Sequence, residues 1–205
     1  SEQLKAKLTH TTFKFNCEGE SINSTTIILK GGEEIPNQGA IVTSNAAELI
    51  SNLRDAKTTW KSCMCLYFEV DKTSIPKKTI ALIADEGNLS NNLFTYQDKL
   101  GRTILSVTAL NYQGMSEKEI TARVAEEIQM YCNPFSLRHI TNFNIIQALP
   151  NLRNLKHTSE PSASQIADNI FLAGDTLFNG SLNAAMESGR LAALGLIEKK
   201  SGWFS

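Results

Sequence analysis

The chain has 205 residues, with 20 basic and 21 acidic side chains and a formal net charge of −1. This balance lacks the excess of basic residues that is typical of nucleic-acid-binding proteins. No apolar run approaches the roughly 20 residues that a membrane-spanning helix needs. The N-terminus also lacks the basic and then apolar pattern of a secretory leader. We therefore expect a cytoplasmic protein without a nucleic-acid partner or a membrane-spanning segment, long enough for one large domain or two small ones.

The cysteines and histidines do not form a metal-binding pattern. Cys63 and Cys65 lie two apart in a strand-like segment, so their side chains point to one face. A zinc site uses a wider pair with a second pair downstream, and none is present. We expect a buried structural role for these cysteines and no bound metal.

The chain opens with "SEQLKAKL", without an initiator Met, and enters strand-like sequence almost at once. This start indicates a piece of a longer protein. The first 45 residues are predicted to be β structure: a strand within 7–18, a second strand that ends at the Gly31-Gly32 turn, and a buried strand at 39–45. Residues 46–54 then have helical spacing.

The middle of the chain is predicted to hold four strands separated by turns, at 63–70, 79–84, 92–96 and 103–110. The clearest surface helix follows at 114–131. Ser116 is its expected N-cap, with Glu119 completing a capping box. Its buried stripe is expected to consist of Ile120, Val124 and Ile128.

The last third begins with a predicted strand at 137–150, which Pro150 ends, and continues with a polar loop with one helical turn at 151–169. Together these elements predict an α+β protein with a mostly antiparallel sheet and no complete Rossmann unit. We expect a β-rich, substrate-type domain over 1–150, in which 39–55 returns toward a cofactor domain. The second expected domain is a C-terminal strand, loop and helix over 151–205.

Residues 169–196 contain the most informative pattern. A short apolar strand ends at Gly174 and Asp175, and a turn-rich loop then leads into a helix. A carboxylate at a strand's carboxyl end is well placed to accept hydrogen bonds from ligand hydroxyls, and the first amides of a helix favour an electron-rich atom. From spacing alone, a purely structural turn followed by close helix packing is an equal alternative.

The helix of this segment carries small residues along its length: Ala184, Ala185, Ser188, Gly189, Ala192 and Ala193. Side chains three and four apart share one helix face. The pattern predicts a thin helix that lies close to a sheet or a large planar ligand. We expect Gly189 to be its point of closest approach.

The segment "IFLAGDTLFNGSLNAAMESGRLAA" resembles the C-terminal flavin motif of the FAD-dependent amine oxidase superfamily, which includes protoporphyrinogen oxidases and phytoene desaturases. The matching residues are Gly174, Asp175, Ser181, Leu182, Ala185, Ser188, Gly189 and Ala192. Residues 144–152 and 31–53 are similar to upstream segments of that family, more faintly.

This resemblance implies a C-terminal fragment of an FAD-dependent oxidoreductase that transfers a hydride from a small organic substrate to the flavin. Asp175 would bind the ribityl chain, and the amides around Leu182 and Asn183 would face the pyrimidine edge of the flavin. The full set of implied cofactor-binding residues is Gly174, Asp175, Ser181, Leu182, Asn183 and Ala185. No catalytic residue is identified.

The family's N-terminal G-x-G-x-x-G motif is missing from this chain. The implied partner is therefore the N-terminal, FAD-binding half of the same polypeptide, and FAD is expected in the intact protein but not in this chain alone. A non-enzymatic binding or scaffold module of the same fold is the alternative. A hydrolase is disfavoured, since neither Ser181 nor Ser188 has a neighbouring His and no G-x-S-x-G elbow occurs.

Substrate identity stays open among amines, porphyrins and polyenes. Aromatic side chains in the β region are candidates for a substrate pocket, although core packing explains an aromatic on a strand more often. These candidates are Tyr67, Phe68, Phe94, Tyr96 and Tyr112.

Overall fold

The structure is a computed structural model that describes residues 2–53, 58–71, 73–76, 78–152 and 155–202. The chain forms two compact units, one of residues 60–151 and one of residues 1–59 together with 152–205. This division differs from the one expected at residue 150, because the first 59 residues fold with the C-terminal segment. The fold class is α+β, as predicted.

The unit of residues 60–151 is built on a five-stranded antiparallel sheet. Its strands are β5 (Trp60–Val70), β6 (Ile80–Leu82), β7 (Ser90–Gln97), β8 (Thr103–Ala109) and β9 (Leu137–Pro150), in the order β6-β7-β8-β5-β9. All four neighbouring pairs run antiparallel. The strands predicted for this region are therefore present, with β5 and β7 longer than expected.

One face of this sheet packs against helix α3 (Glu117–Cys132). Alternate β5 side chains, from Met64 to Val70, are buried in this core with Ile120, Val124 and Ile128 of the helix. The predicted helical stripe is thus confirmed. The capping box is confirmed as well, because the Ser116 amide donates to the Glu119 carboxylate at 2.7 Å and the Glu119 amide donates to Ser116 Oγ at 3.3 Å.

The carboxylate of Glu127 ties α3 to the start of β7 from inside the core. Glu127 is buried, and its two oxygens accept from the backbone amides of Leu89 at 2.8 Å and Ser90 at 2.7 Å. Arg123 Nε lies 3.5 Å from the same carboxylate. Two buried amides without a strand partner are therefore satisfied by one side chain.

We expect Glu127→Ala to destabilise the protein by at least about 2 kcal/mol, because each buried donor left unsatisfied costs about 1–3 kcal/mol. Urea unfolding monitored by circular dichroism measures the change. Glu126→Ala is the control, since Glu126 is an exposed neighbour on the same helix. An equally small effect of both substitutions would contradict the role given to Glu127.

The opposite, open face of the sheet carries aromatic and aliphatic side chains. Tyr67 contacts Phe143 edge to face, with ring centroids 5.9 Å apart, and Phe94 stacks on Tyr96 at 6.3 Å. The five aromatic candidates therefore lie on two different faces of the sheet. Tyr67, Phe94 and Tyr96 are on the open face, whereas Phe68 and Tyr112 belong to the core on the α3 side.

Cys63 and Cys65 also lie on the open face, in register with Ile145 and Phe143 of β9. Their common face is confirmed, but both side chains are only half-buried, whereas Cys132 is the buried cysteine. Burial raises the pKa of Cys63 and of Cys132.

The second unit contains two three-stranded sheets. The first is antiparallel and consists of β1 (Gly19–Ile22), β2 (Thr26–Leu29) and β3 (Glu34–Pro36). The second has the order β10-β11-β4, with β4 (Ala40–Val42), β10 (Gln165–Ala167) and β11 (Ile170–Leu172). Its helices are α1 (Glu2–Lys5), α2 (Ala46–Leu49) and α4 (Leu182–Lys200), with 3-10 turns at Ser51–Leu53 and Pro161–Ser164.

The parallel pairing of β4 with β11 joins the two distant parts of this unit, and Ile170, Phe171 and Leu172 lie opposite residues 40–42. On one face Phe171 packs with Ala192 of α4, and on the other Ile170 packs with Ala46 and Ile50. A strand buried on both faces is typical of parallel sheets. Residue 54, the predicted end of the helix over 46–54, lies outside the described residues, and residues 46–53 form α2 and a 3-10 turn.

The expected strand within residues 7–18 is wrong. This segment has no strand pairing, and α1 precedes it. Phe13 and Phe15 stack on each other at 6.1 Å, and the Lys5 ammonium lies over both rings. The alternating sequence pattern correctly puts the two rings on one side. A strand, however, also needs a neighbouring strand to form hydrogen bonds with its backbone N–H and C=O groups.

Of the two glycines in helix α4, Gly195 is the one that packs closely against neighbouring elements. A Cβ atom there would lie 2.6 Å from the Pro161 carbonyl oxygen and 2.7 Å from a ring carbon of Phe171. A Cβ atom at Gly189 would meet no described atom within 4 Å. The expectation for Gly189 is therefore wrong, because Gly195, two turns beyond the buried Ser188, shares its face, whereas Gly189 is turned away.

We expect Gly195→Ala to destabilise the protein by about 1–3 kcal/mol, since the added methyl group meets backbone and ring atoms. Gly189→Ala adds the same methyl in open space and should stabilise the helix by up to about 1 kcal/mol. Chemical denaturation of both variants measures the difference. Equal stability of the two would mean that α4 docks by another face.

Candidate functional site

The candidate site begins where β11 ends. The Ala173 amide donates to the Val42 carbonyl at 2.9 Å, so the pairing with β4 continues one residue beyond the strand. Gly174 then adopts a φ of +132°, a conformation that side-chain-bearing residues rarely reach. The chain therefore turns away from the sheet at Gly174 and places Asp175 just past the strand's carboxyl end.

A hydroxyl from α4 contacts this turn. Ser188 is completely buried, and its Oγ accepts from the Gly174 amide at 2.8 Å. The same oxygen lies 2.7 Å from the Ala185 carbonyl and 3.1 Å from the Gly174 carbonyl, its two possible acceptors. The turn after β11 is thereby joined to the second turn of the helix.

Asp175 has a half-buried side chain. Within the part of the chain that the structure describes, its carboxylate receives no hydrogen bond and forms no ion pair. Asp168 differs, because it pairs with Lys199 at 2.6 Å on the surface of the same unit. The Asp175 carboxylate is thus free to accept hydrogen bonds from a ligand.

Helix α4 begins with a side-chain cap that leaves two amides open. Ser181 is the N-cap, and its Oγ accepts from the Ala184 amide at 3.2 Å. The Ala185 amide donates to the Ser181 carbonyl at 3.0 Å. No described residue accepts from the amides of Leu182 and Asn183, both of which are exposed. These two donors form part of the positive end of the helix dipole.

The loop between Asp175 and the helix is held by an apolar anchor. Phe178 is buried against Ala184 and Leu191 of α4. Its carbonyl accepts from the Lys156 amide at 3.1 Å. The loop therefore returns to the helix at a defined place, where Phe178 packs on α4.

The structure brings the six predicted site residues onto one strand–loop–helix segment within a single unit. The Ala185 amide is already used inside the helix, so only its carbonyl contacts the turn, through Ser188. Sequence reasoning did not assign a role to Ser188. The available signal was a polar residue on the small-residue face of the helix.

The open face of the other unit contains a groove of about 380 Å³. Its lining includes Tyr67, Tyr96 and Phe143, and its rim holds Arg102, which pairs with Asp98 at 2.7 Å. Burial disfavours ionised Asp98, but hydrogen bonds from Arg102 and Leu100 outweigh it and hold the pKa of Asp98 below its ordinary value. The groove therefore has aromatic walls, and the charges of Arg102 and Asp98 at its rim compensate each other.

Among the described residues, no group of three or more His, Cys, Asp or Glu side chains could hold a metal ion. None of the helices in the described ranges is long and apolar enough to span a membrane.

No protein-family model matches the chain, and no curated protein matches it either. Solved structures do match. A Pyrococcus furiosus protein is 13% identical with a TM-score of 0.61, covering 87% of this chain and 46% of its own. A putrescine oxidase with redesigned cofactor binding is 9% identical with a TM-score of 0.60, covering 98% of this chain and 51% of its own. An oxidoreductase from Methanosarcina mazei is 10% identical with a TM-score of 0.57, covering 90% of this chain and 49% of its own.

The chain thus shares its fold with part of a putrescine oxidase and part of an oxidoreductase from Methanosarcina mazei. It spans about half the length of the solved structures that it matches. At these identities the likeness concerns the fold.

We expect Gly174→Ala to destabilise the protein by about 1–3 kcal/mol, the usual cost of holding a side-chain-bearing residue in a rare backbone conformation. Steric overlap is not the reason, since a Cβ atom at Gly174 would lie 3.7 Å from the nearest atom, the Thr43 carbonyl oxygen. Urea unfolding measures the loss, with Gly189→Ala as the control at an ordinary helical glycine. Unchanged stability would contradict the backbone conformation assigned to Gly174.

Proposed function

We propose that this chain is the C-terminal part of an FAD-dependent oxidoreductase of the amine oxidase type. One observation carries the proposal: the unpaired Asp175 carboxylate follows a buried strand on the same segment as two open amides at the start of α4. The shared fold with putrescine oxidase and with an oxidoreductase from Methanosarcina mazei supports it.

The chemistry of these residues fits a flavin. The Asp175 carboxylate is an acceptor, and the hydroxyl groups of a ribityl chain are donors. The amides of Leu182 and Asn183 are donors, and the pyrimidine carbonyl groups of the flavin are acceptors. Gly174 and Ser181 would hold the turn and the helix start that present these groups, and Ala185 would keep the adjacent helix surface small.

A bound flavin would supply the acceptor for a hydride from the substrate. Two amide dipoles and the positive end of a helix would stabilise the negative charge that develops on its pyrimidine side. This chain's contribution would therefore be to bind, to orient and to stabilise charge. We propose a small organic substrate and a cytoplasmic location for the intact protein.

The proposed partner is an N-terminal half that carries the G-x-G-x-x-G motif. Two facts support it: the chain spans about half of the proteins it matches, and its own sequence lacks this motif. We expect the purified 205-residue chain to be colourless and the intact protein to be yellow. A colourless intact protein that binds no FAD would favour a non-enzymatic module of the same fold.

We expect Asp175→Ala in the intact protein to weaken FAD retention by about 1–3 kcal/mol, the worth of one or two hydrogen bonds to a charged acceptor, and to leave the fold unchanged. Flavin release during dialysis, followed by absorbance, measures the effect. Asp168→Ala is the matched control, because it removes an acidic side chain whose partner is Lys199. Equal flavin content in the two variants would count against the role of Asp175.

A further inference from the structure

The Ser188 hydroxyl contacts both peptide groups that flank the Gly174 Cα atom. It accepts from the Gly174 amide at 2.8 Å, and it lies 3.1 Å from the Gly174 carbonyl, which belongs to the peptide bond joining Gly174 to Asp175. A hydroxyl has one proton and two lone pairs. Its single proton can be donated to this carbonyl or to that of Ala185, which is nearer at 2.7 Å.

These contacts restrain the two dihedral angles that decide where Asp175 points. Gly174 has no side chain to restrict them, and its φ of +132° lies where glycine moves freely. Rotation about φ moves the Asp175 carboxylate relative to the strand, and rotation about ψ turns the peptide bond that precedes it. A buried hydroxyl that accepts from the Gly174 amide and lies within hydrogen-bond distance of the Gly174 carbonyl therefore supplies rigidity that the glycine lacks.

We propose that Ser188 is a positioning residue for the cofactor: its hydroxyl fixes the Gly174 backbone so that Asp175 is presented to the ligand. This inference rests on the proposed function, because it assigns Asp175 to FAD. Ser188 itself is completely buried behind the turn and takes no part in binding. A merely structural role, in which Ser188 only docks α4, would affect stability without a selective effect on Gly174.

The first experiment uses the 205-residue chain alone and measures amide hydrogen exchange by NMR. In Ser188→Ala we expect exchange at the Gly174 amide to accelerate about tenfold, the loss of one hydrogen bond. The neighbouring Ala173 amide keeps its bond to the Val42 carbonyl and should change little. Leu196→Val is the matched control, because it loosens a half-buried α4 contact in the cluster of Phe171 and Ala192, which does not include the Phe178 anchor of the loop.

Ser188→Thr tests rescue. It retains the hydroxyl, and a cavity of about 60 Å³ lined in part by Ser188, Leu177 and Phe178 has room for the added methyl group. Threonine should restore the slow exchange of Gly174. If Ser188→Ala does not fold, Ser188→Cys replaces it, since a thiol is a far weaker acceptor.

The second experiment measures the rate of FAD release from the intact protein for the same variants. Faster release from Ser188→Ala than from Leu196→Val, with Ser188→Thr near the parent, supports the proposal. Unchanged exchange at Gly174, or equal release from the alanine variant and the control, overturns it. An intact protein without FAD overturns the proposed function and the positioning role with it, and the exchange experiment alone then decides whether Ser188 fixes the turn.

Discussion

The parallel pairing between β4 and β11 is the contact on which the candidate site depends. It joins residues that are about 130 positions apart in the chain, and such a long loop is costly to close. The pairing is stabilised because β11 is buried on both faces, by α4 through Phe171 and by α2 through Ile170. The end of this strand then defines where Gly174 turns and where Asp175 lies.

The small residues of α4 serve this pairing. Gly195 lets the helix backbone approach Phe171 and the Pro161 carbonyl, and Ser188 on the same face reaches the turn after β11. A larger residue at Gly195 would hold the helix away from the strand. Packing against the strand therefore explains Ala192 and Gly195, and one polar contact explains Ser188, while the exposed helix start remains open to a ligand.

In the unit of residues 60–151, the two faces of the five-stranded sheet differ: one is buried and the other is open. The face that packs on α3 contains the core, including Phe68, and Glu127 satisfies two buried amides there. The open face carries Tyr67, Tyr96 and Phe143 around a groove whose charged rim is neutralised. Such a surface suits contact with an apolar molecule.

The sequence by itself determined the elements whose signals are local. Helix α3 was predictable from its capping box and its 3.6-residue stripe, β9 from its β-rich run and final proline, and the strand–Gly174–Asp175–helix order from turn residues. These features depend on interactions within a few residues, which a sequence displays directly.

Only the tertiary structure decided which segments meet. The alternating residues 7–18 found no partner strand, residues 1–59 joined the C-terminal segment, and the close approach of α4 fell on Gly195 and not on Gly189. The hydrogen bond from the Gly174 amide to Ser188 Oγ is another contact that only the tertiary structure decided. Each of these outcomes depends on hydrogen bonds and packing between residues far apart in the chain, and no local pattern specifies the partner of such a contact.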